Sequence, residues 1–83
     1  MLSPKDCSLK LLGVYKDSII LSCYDDTDKL IYSIEPKNGL KVLDAFFSVN
    51  KKTGKIEEYA YLNDLSHFRN LLKNNELSKS EYL

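Results

Sequence analysis

The chain has no tryptophan, a single histidine and only two cysteines, and its charges cancel, with 12 Lys plus Arg against 12 Asp plus Glu. Each scarcity closes off a class of function. Affinity for nucleic acid comes largely from neutralising phosphates, so proteins of that class ordinarily carry a basic excess that is missing here. A lone histidine, His67, does not make a transition-metal site, which draws on three or four soft or imidazole ligands. Apolar runs extend over a few residues only, far short of a membrane span. The N-terminus lacks the basic, apolar and cleavage-site succession of a secretory signal. A cytoplasmic protein with reduced thiols is therefore expected. Cys23, in an alternating apolar segment, should pack as a small hydrophobe, whereas Cys7, near the start, is placed at the surface. A Cys7–Cys23 disulfide is the lesser alternative. With no net charge there is little self-repulsion, which leaves self-association open.

What is present is globular composition, 43% apolar and 29% charged in 83 residues, enough for one small domain with a single modest core. The domain is taken to span residues 1–83, with 1–7 and 76–83 as flexible ends. No internal repeat or low-complexity tract divides it.

The hydrophobic pattern predicts an α+β fold, an antiparallel β-meander of about five strands with one C-terminal amphipathic helix packed on the sheet. Residues 8–15 and 18–24 are β-rich runs separated by Lys16 and Asp17, the spacing of a hairpin. A third strand, residues 29–34, follows the polar loop Asp25-Asp26-Thr27-Asp28. Alternation then sets Leu12, Val14, Ile19, Leu21, Cys23, Leu30, Tyr32 and Ile34 on a core face. Leu9, Leu11, Ile20 and Ile31 fall on the opposite, semi-apolar face. After the turn Glu35-Pro36-Lys37-Asn38-Gly39, residues 40–46 fit either a helix or a strand. Strand is preferred, because residues 55–62 alternate in turn. With Asn50 opposite Lys55, Val49 faces Ile56, Ala45 faces Ala60 and Phe46 faces Tyr59. Leu65, Phe68, Leu71 and Leu72 form a helical stripe that Asn63 or Asp64 can cap and Asn74-Asn75 ends. Ser78-Lys79-Ser80-Glu81 has the spacing of a capping box, so a short last helix competes with a frayed tail.

Candidate motifs read more simply as surface chemistry. Three carboxylates in residues 25–28 offer oxygen ligands for a hard cation, yet the glycine and the distal glutamate of a calcium loop are missing. Lys51-Lys52-Thr53-Gly54-Lys55 superficially resembles a phosphate loop but lacks its first glycine and the Ser or Thr after the lysine. Asp64 and His67 lie one helical turn apart, with no activated Ser or Cys beside them. No catalytic residue, cofactor or metal is assigned. Six tyrosines in so short a chain exceed what a core can absorb, and tyrosine suits surfaces that are half apolar and half wet.

The stretch Phe47-Ser48-Val49-Asn50-Lys51-Lys52-Thr53-Gly54-Lys55-Ile56 resembles a hairpin of many small bacterial proteins, PepSY-like and immunity-type domains among them. It carries over no functional residue. Usage rich in Lys, Asn, Ile and Tyr suits an AT-rich bacterial or phage genome. The expectation is a non-enzymatic binding protein of inhibitor, immunity or adaptor type, whose partner is another protein or a second copy. Its contacts are placed at Leu9, Leu11, Ile20, Ile31, Tyr59 and Tyr61. The alternative is a nucleic-acid-binding β-domain that uses Lys51, Lys52 and Lys55.

Overall fold

Ser3 begins the first element. Its hydroxyl accepts from the Asp6 N–H at 3.2 Å, and the Asp6 carboxylate accepts from the Ser3 N–H at 3.4 Å. Pro4 fills the first helical position, where its missing N–H costs nothing. This capping box starts helix α1, Pro4–Val14, where alternation predicted a strand over residues 8–15. The computed structural model describes residues 1–39 and 45–83 and continues with β1 (Ser18–Asp26), β2 (Lys29–Pro36), β3 (Ala45–Asn50) and β4 (Ile56–Glu58). A 3-10 turn at Tyr61–Asp64 leads into α2 (Leu65–Asn74), and α3 (Lys79–Tyr82) follows. Among the described residues the meander has four strands, in the order β1-β2-β3-β4, all antiparallel. The question of strand or helix over residues 40–46 falls mostly outside the described residues; Ala45 and Phe46 begin β3.

The expected pairing of the second hairpin is present. Val49 pairs with Ile56, and Asn50 N–H donates to the Lys55 carbonyl at 2.9 Å. The first hairpin is tighter than predicted. Asp26 pairs with Lys29, so only Thr27 and Asp28 turn the chain, and Thr27 takes the left-handed φ of 51°. Within β1 the register slips by one residue between Ile20 and Ser22. This bulge at Leu21 inserts an extra residue and reverses the alternation N-terminal to it. Cys23 keeps its expected place on the core face and Ile20 joins it, while Ile19 and Leu21 are exposed, the reverse of the pattern expected for residues 19–21.

Helices cover both faces of the sheet. On one, Cys7 and Leu11 of α1 and Tyr82 of α3 pack with Ile20, Cys23, Leu30, Tyr32 and Val49. On the other, Leu71 of α2 packs with Tyr24 and Ile31, joined by Phe46 and Tyr59. The prediction of one C-terminal helix leaving a semi-apolar face bare is thus corrected to a sheet between two helical layers. The physical reason is α1, which supplies the second layer from residues read as a strand.

Residues near both ends of the sequence take part in the packing. Leu2 N–H donates to the Lys51 carbonyl at 2.7 Å, and Tyr82 is buried. Residues 75–77 run along the outer edge of β1, with Leu77 N–H donating to the Cys23 carbonyl and Asp25 N–H to that of Asn75, both at 2.9 Å. Cys7 is fully buried rather than exposed, and both cysteines are free thiols. No helix among the described residues is long and apolar enough to cross a membrane.

Candidate binding surface

Helix α1 is apolar on more than its core side. Cys7, Ser8 and Leu11 point into the sheet, and their spacing leaves positions 5, 9 and 12 together on a neighbouring face. Leu9 is 70% exposed there. Next to this stripe lie Ile19, turned outward by the bulge and 41% exposed, and Leu83, 56% exposed after α3. These side chains line two adjoining concavities of about 300 Å³ each, which share Leu12 and Leu83 as common walls. Leu9 belongs to one and Ile19 to the other. Lys5, Lys16 and Lys37 also line them, and among the described residues no Asp or Glu does.

The sequence-predicted contacts do not form one surface. Leu11 and Ile20 are interior to the layer between α1 and the sheet, and Ile31 is fully buried beneath α2. Of the four aliphatic residues, only Leu9 is exposed. Tyr59 and Tyr61 sit elsewhere, in an aromatic cluster on the α2 side. Phe68 of that helix has its ring 4.8 Å from Phe46, 4.9 Å from Tyr61 and 6.1 Å from Tyr59. Burial, together with the nearby Asp26 and Asp64, pushes the Tyr59 phenol up, and Lys29 Nζ lies 5.4 Å from its ring centre. A cleft of about 280 Å³ opens beside Tyr59 and Tyr61. Its aromatic walls are largely spent on packing α2 against the sheet.

The three hairpin lysines are not a common basic tip either. Lys51 Nζ donates to Asp25 Oδ1 at 2.6 Å and to the Thr27 carbonyl at 2.9 Å, with its side chain only 15% exposed. Lys55 pairs with Glu57 at 3.1 Å, while Lys52 is exposed. Lys51 thus clasps the β1–β2 turn to the start of the β3–β4 loop. The acidic loop is similarly committed, since Asp26 Oδ1 lies 2.9 Å from His67 Nε2 and Asp25 holds Lys51. Asp64 caps α2 by accepting from the His67 N–H at 3.2 Å. His67 therefore ties α2 to the β1–β2 turn. The nucleophiles are also sequestered. Burial raises the Cys7 thiol, and it pushes the Cys23 thiol up to about 12, which keeps both protonated and away from solvent.

Comparison with protein families, with curated proteins and with solved structures finds no match to the chain. The case for function accordingly rests on the surface itself. Sequence reading named none of Leu12, Ile19, Leu83, Lys5, Lys16 and Lys37 as a contact, and placed Leu12 and Ile19 on the core face instead. Ser3-Pro4-Lys5-Asp6 was the available signal: a capping box with proline at the first helical position, which would have set Lys5, Leu9 and Leu12 on one helical face.

Proposed function

We propose that this protein is a small non-enzymatic binding domain, of inhibitor, immunity or adaptor type, that works by docking another protein in the groove between α1 and the start of β1. The observation carrying this reading is the continuity of Leu9, Leu12, Ile19 and Leu83 along two adjoining concavities. Single exposed aliphatic residues are ordinary on protein surfaces, whereas a contiguous apolar strip with a polar rim marks a contact site. A binding role also agrees with the deep burial of both thiols. Free thiols suit a reducing compartment, the cytoplasm.

The test is capture by the immobilised full chain, compared with Leu9→Glu. Leu9 is exposed, so the substitution leaves melting temperature and circular dichroism unchanged. One stoichiometric partner should be retained by the parent and lost by the variant. A partner held equally by both, or no stoichiometric partner at all, overturns the reading.

A further inference from the structure

We infer that the Asn38–Gly39 peptide is a site of self-modification, where the Asn38 side chain closes on the Gly39 nitrogen and is converted to aspartate and isoaspartate. This goes beyond the docking reading and stands without it.

An asparagine side chain reaches the nitrogen of the next residue through a five-membered ring, so the fold need bring in no partner group. Crowding and conformational hold at the following residue set the rate. The sequence has six asparagines, and five of them precede residues that carry side chains, namely Lys51, Asp64, Leu71, Asn75 and Glu76. Those five also sit in ordered backbone. Asn50 ends β3, Asn63 lies in the 3-10 turn, Asn70 and Asn74 lie in α2, and Asn75 caps that helix with its N–H on the Leu71 carbonyl. Asn38 alone precedes a glycine.

The turn after β2 leaves this pair open. Asn38 and Gly39 are both exposed. Gly39 takes φ 76°, and among the described residues, its chain neighbours apart, none has an atom within 4 Å of where a Cβ would stand. Its peptide can therefore rotate toward the Asn38 side chain without collision. The Lys37 N–H donates to the Asp17 carbonyl at 2.7 Å and pins the start of the turn, while the Gly39 N–H donates to the Pro36 carbonyl at 3.1 Å. The second bond must open before attack, a local fluctuation that leaves the sheet intact.

The Gly39 nitrogen loses its proton to a solvent base and bonds to Asn38 Cγ. The Cγ–Nδ2 bond breaks, and ammonia leaves with a proton returned from solvent. Water then opens the ring at either carbonyl, one route giving aspartate and the other isoaspartate, whose main chain runs through the β-carbon. The sum consumes one water, releases one ammonia and involves no oxidant. The new carboxylate stands next in sequence to Lys37, a wall residue of the concavity that Ile19 lines.

The test is ageing of the purified full chain and of Asn38→Gln, whose ring closure would need a less favourable six-membered ring. Both are held at physiological temperature over a series of neutral to mildly alkaline buffers. Isoelectric focusing, peptide mapping and methyl labelling by an isoaspartyl methyltransferase follow the product. The parent should accumulate a species more acidic by one charge, faster as pH rises, with the label in the peptide that contains residue 38, and Asn38→Gln should lose that species. A parent that stays homogeneous, an acidic species that maps to another asparagine, or one that forms equally in Asn38→Gln would overturn the inference.

Discussion

The contact between α1 and the sheet includes a buried polar triangle whose energetics can be worked out from proton counting. Ser8 Oγ lies 2.9 Å from Tyr32 Oη and 3.0 Å from the Pro4 carbonyl oxygen, and Tyr32 Oη lies 3.2 Å from that same carbonyl. Three short distances are present, but two hydroxyls carry only two protons. At any moment one hydroxyl donates to the other, which donates to Pro4. Replacing Tyr32 by Phe leaves Ser8 donating to Pro4, and replacing Ser8 by Ala leaves Tyr32 donating to it. Each single variant therefore loses one hydrogen bond and strands no donor, at a cost of about 1 kcal/mol. For Ser8→Ala the better helix propensity of alanine returns about 0.5 kcal/mol. In a domain of this size, about 1 kcal/mol lowers the melting temperature by roughly 4–8 °C. The double variant loses both bonds, so the two effects should add, although the side chains touch. If the two hydroxyls bonded only to each other, the double variant would cost no more than one bond and the cycle would show a coupling of about 1 kcal/mol. Urea denaturation of the four proteins distinguishes the cases. A coupling of that size, or a Tyr32→Phe variant as stable as the parent, refutes the assignment of Pro4 as shared acceptor.

Further perturbations test other parts of the fold. Lys51→Ala removes the clasp on Asp25 and Thr27 and should cost about 1 kcal/mol, discounted because Asp25 is partly exposed, whereas Lys52→Ala should stay within about 0.5 kcal/mol; urea midpoints compare the pair. Thr27→Asn relieves a left-handed conformation that a β-branched residue tolerates poorly and should raise stability by about 1 kcal/mol, read as an increased melting temperature. Burial raises the folded pKa of Cys23 to about 12. The associated stability is thus fully present below the unfolded thiol pKa of about 8.5 and is lost as pH rises through the folded value. Under reducing conditions the urea midpoint should fall above about pH 9, and more gently in Cys23→Ala; identical pH slopes would exclude the thiol as a source.

Several parts of this architecture were legible because their signals were local. Gly54 takes φ 75° in the loop that joins β3 to β4, and alternation on either side fixed Val49 against Ile56. Phe68 and Leu71 at helical spacing, with Asp64 in front and Asn75 behind, marked α2 and its buried side. Leu30, Tyr32 and Ile34 alternate without interruption and took the expected face. The N-terminal segment misled because Leu9 and Leu11, and likewise Leu12 and Val14, fall at a spacing of two over a stretch too short for periodicity to separate strand from helix. The deciding information lay upstream, in Ser3, Pro4 and Asp6, within a segment read as a flexible end. The bulge had no such signal, since the extra residue shows only when β1 is laid against β2.

These two departures from expectation are also what build the groove. A strand over residues 8–15 would have paired with β1 and covered its edge, whereas as a helix the same residues send Ser8 and Leu11 inward and leave Leu9 and Leu12 on an accessible flank. Without the bulge, Ile19 would share the face of Cys23 and Tyr32 and be lost to the core. With it, Ile20 fills that place and Ile19 becomes an outer wall. The apolar residues of this segment exceed what one side of a small sheet can bury, and the bulge determines which of them remain outside. A groove made from such surplus depends on register. Restoring regular pairing in β1 would therefore remove the proposed docking groove while leaving most core contacts of β2 and β3 in place.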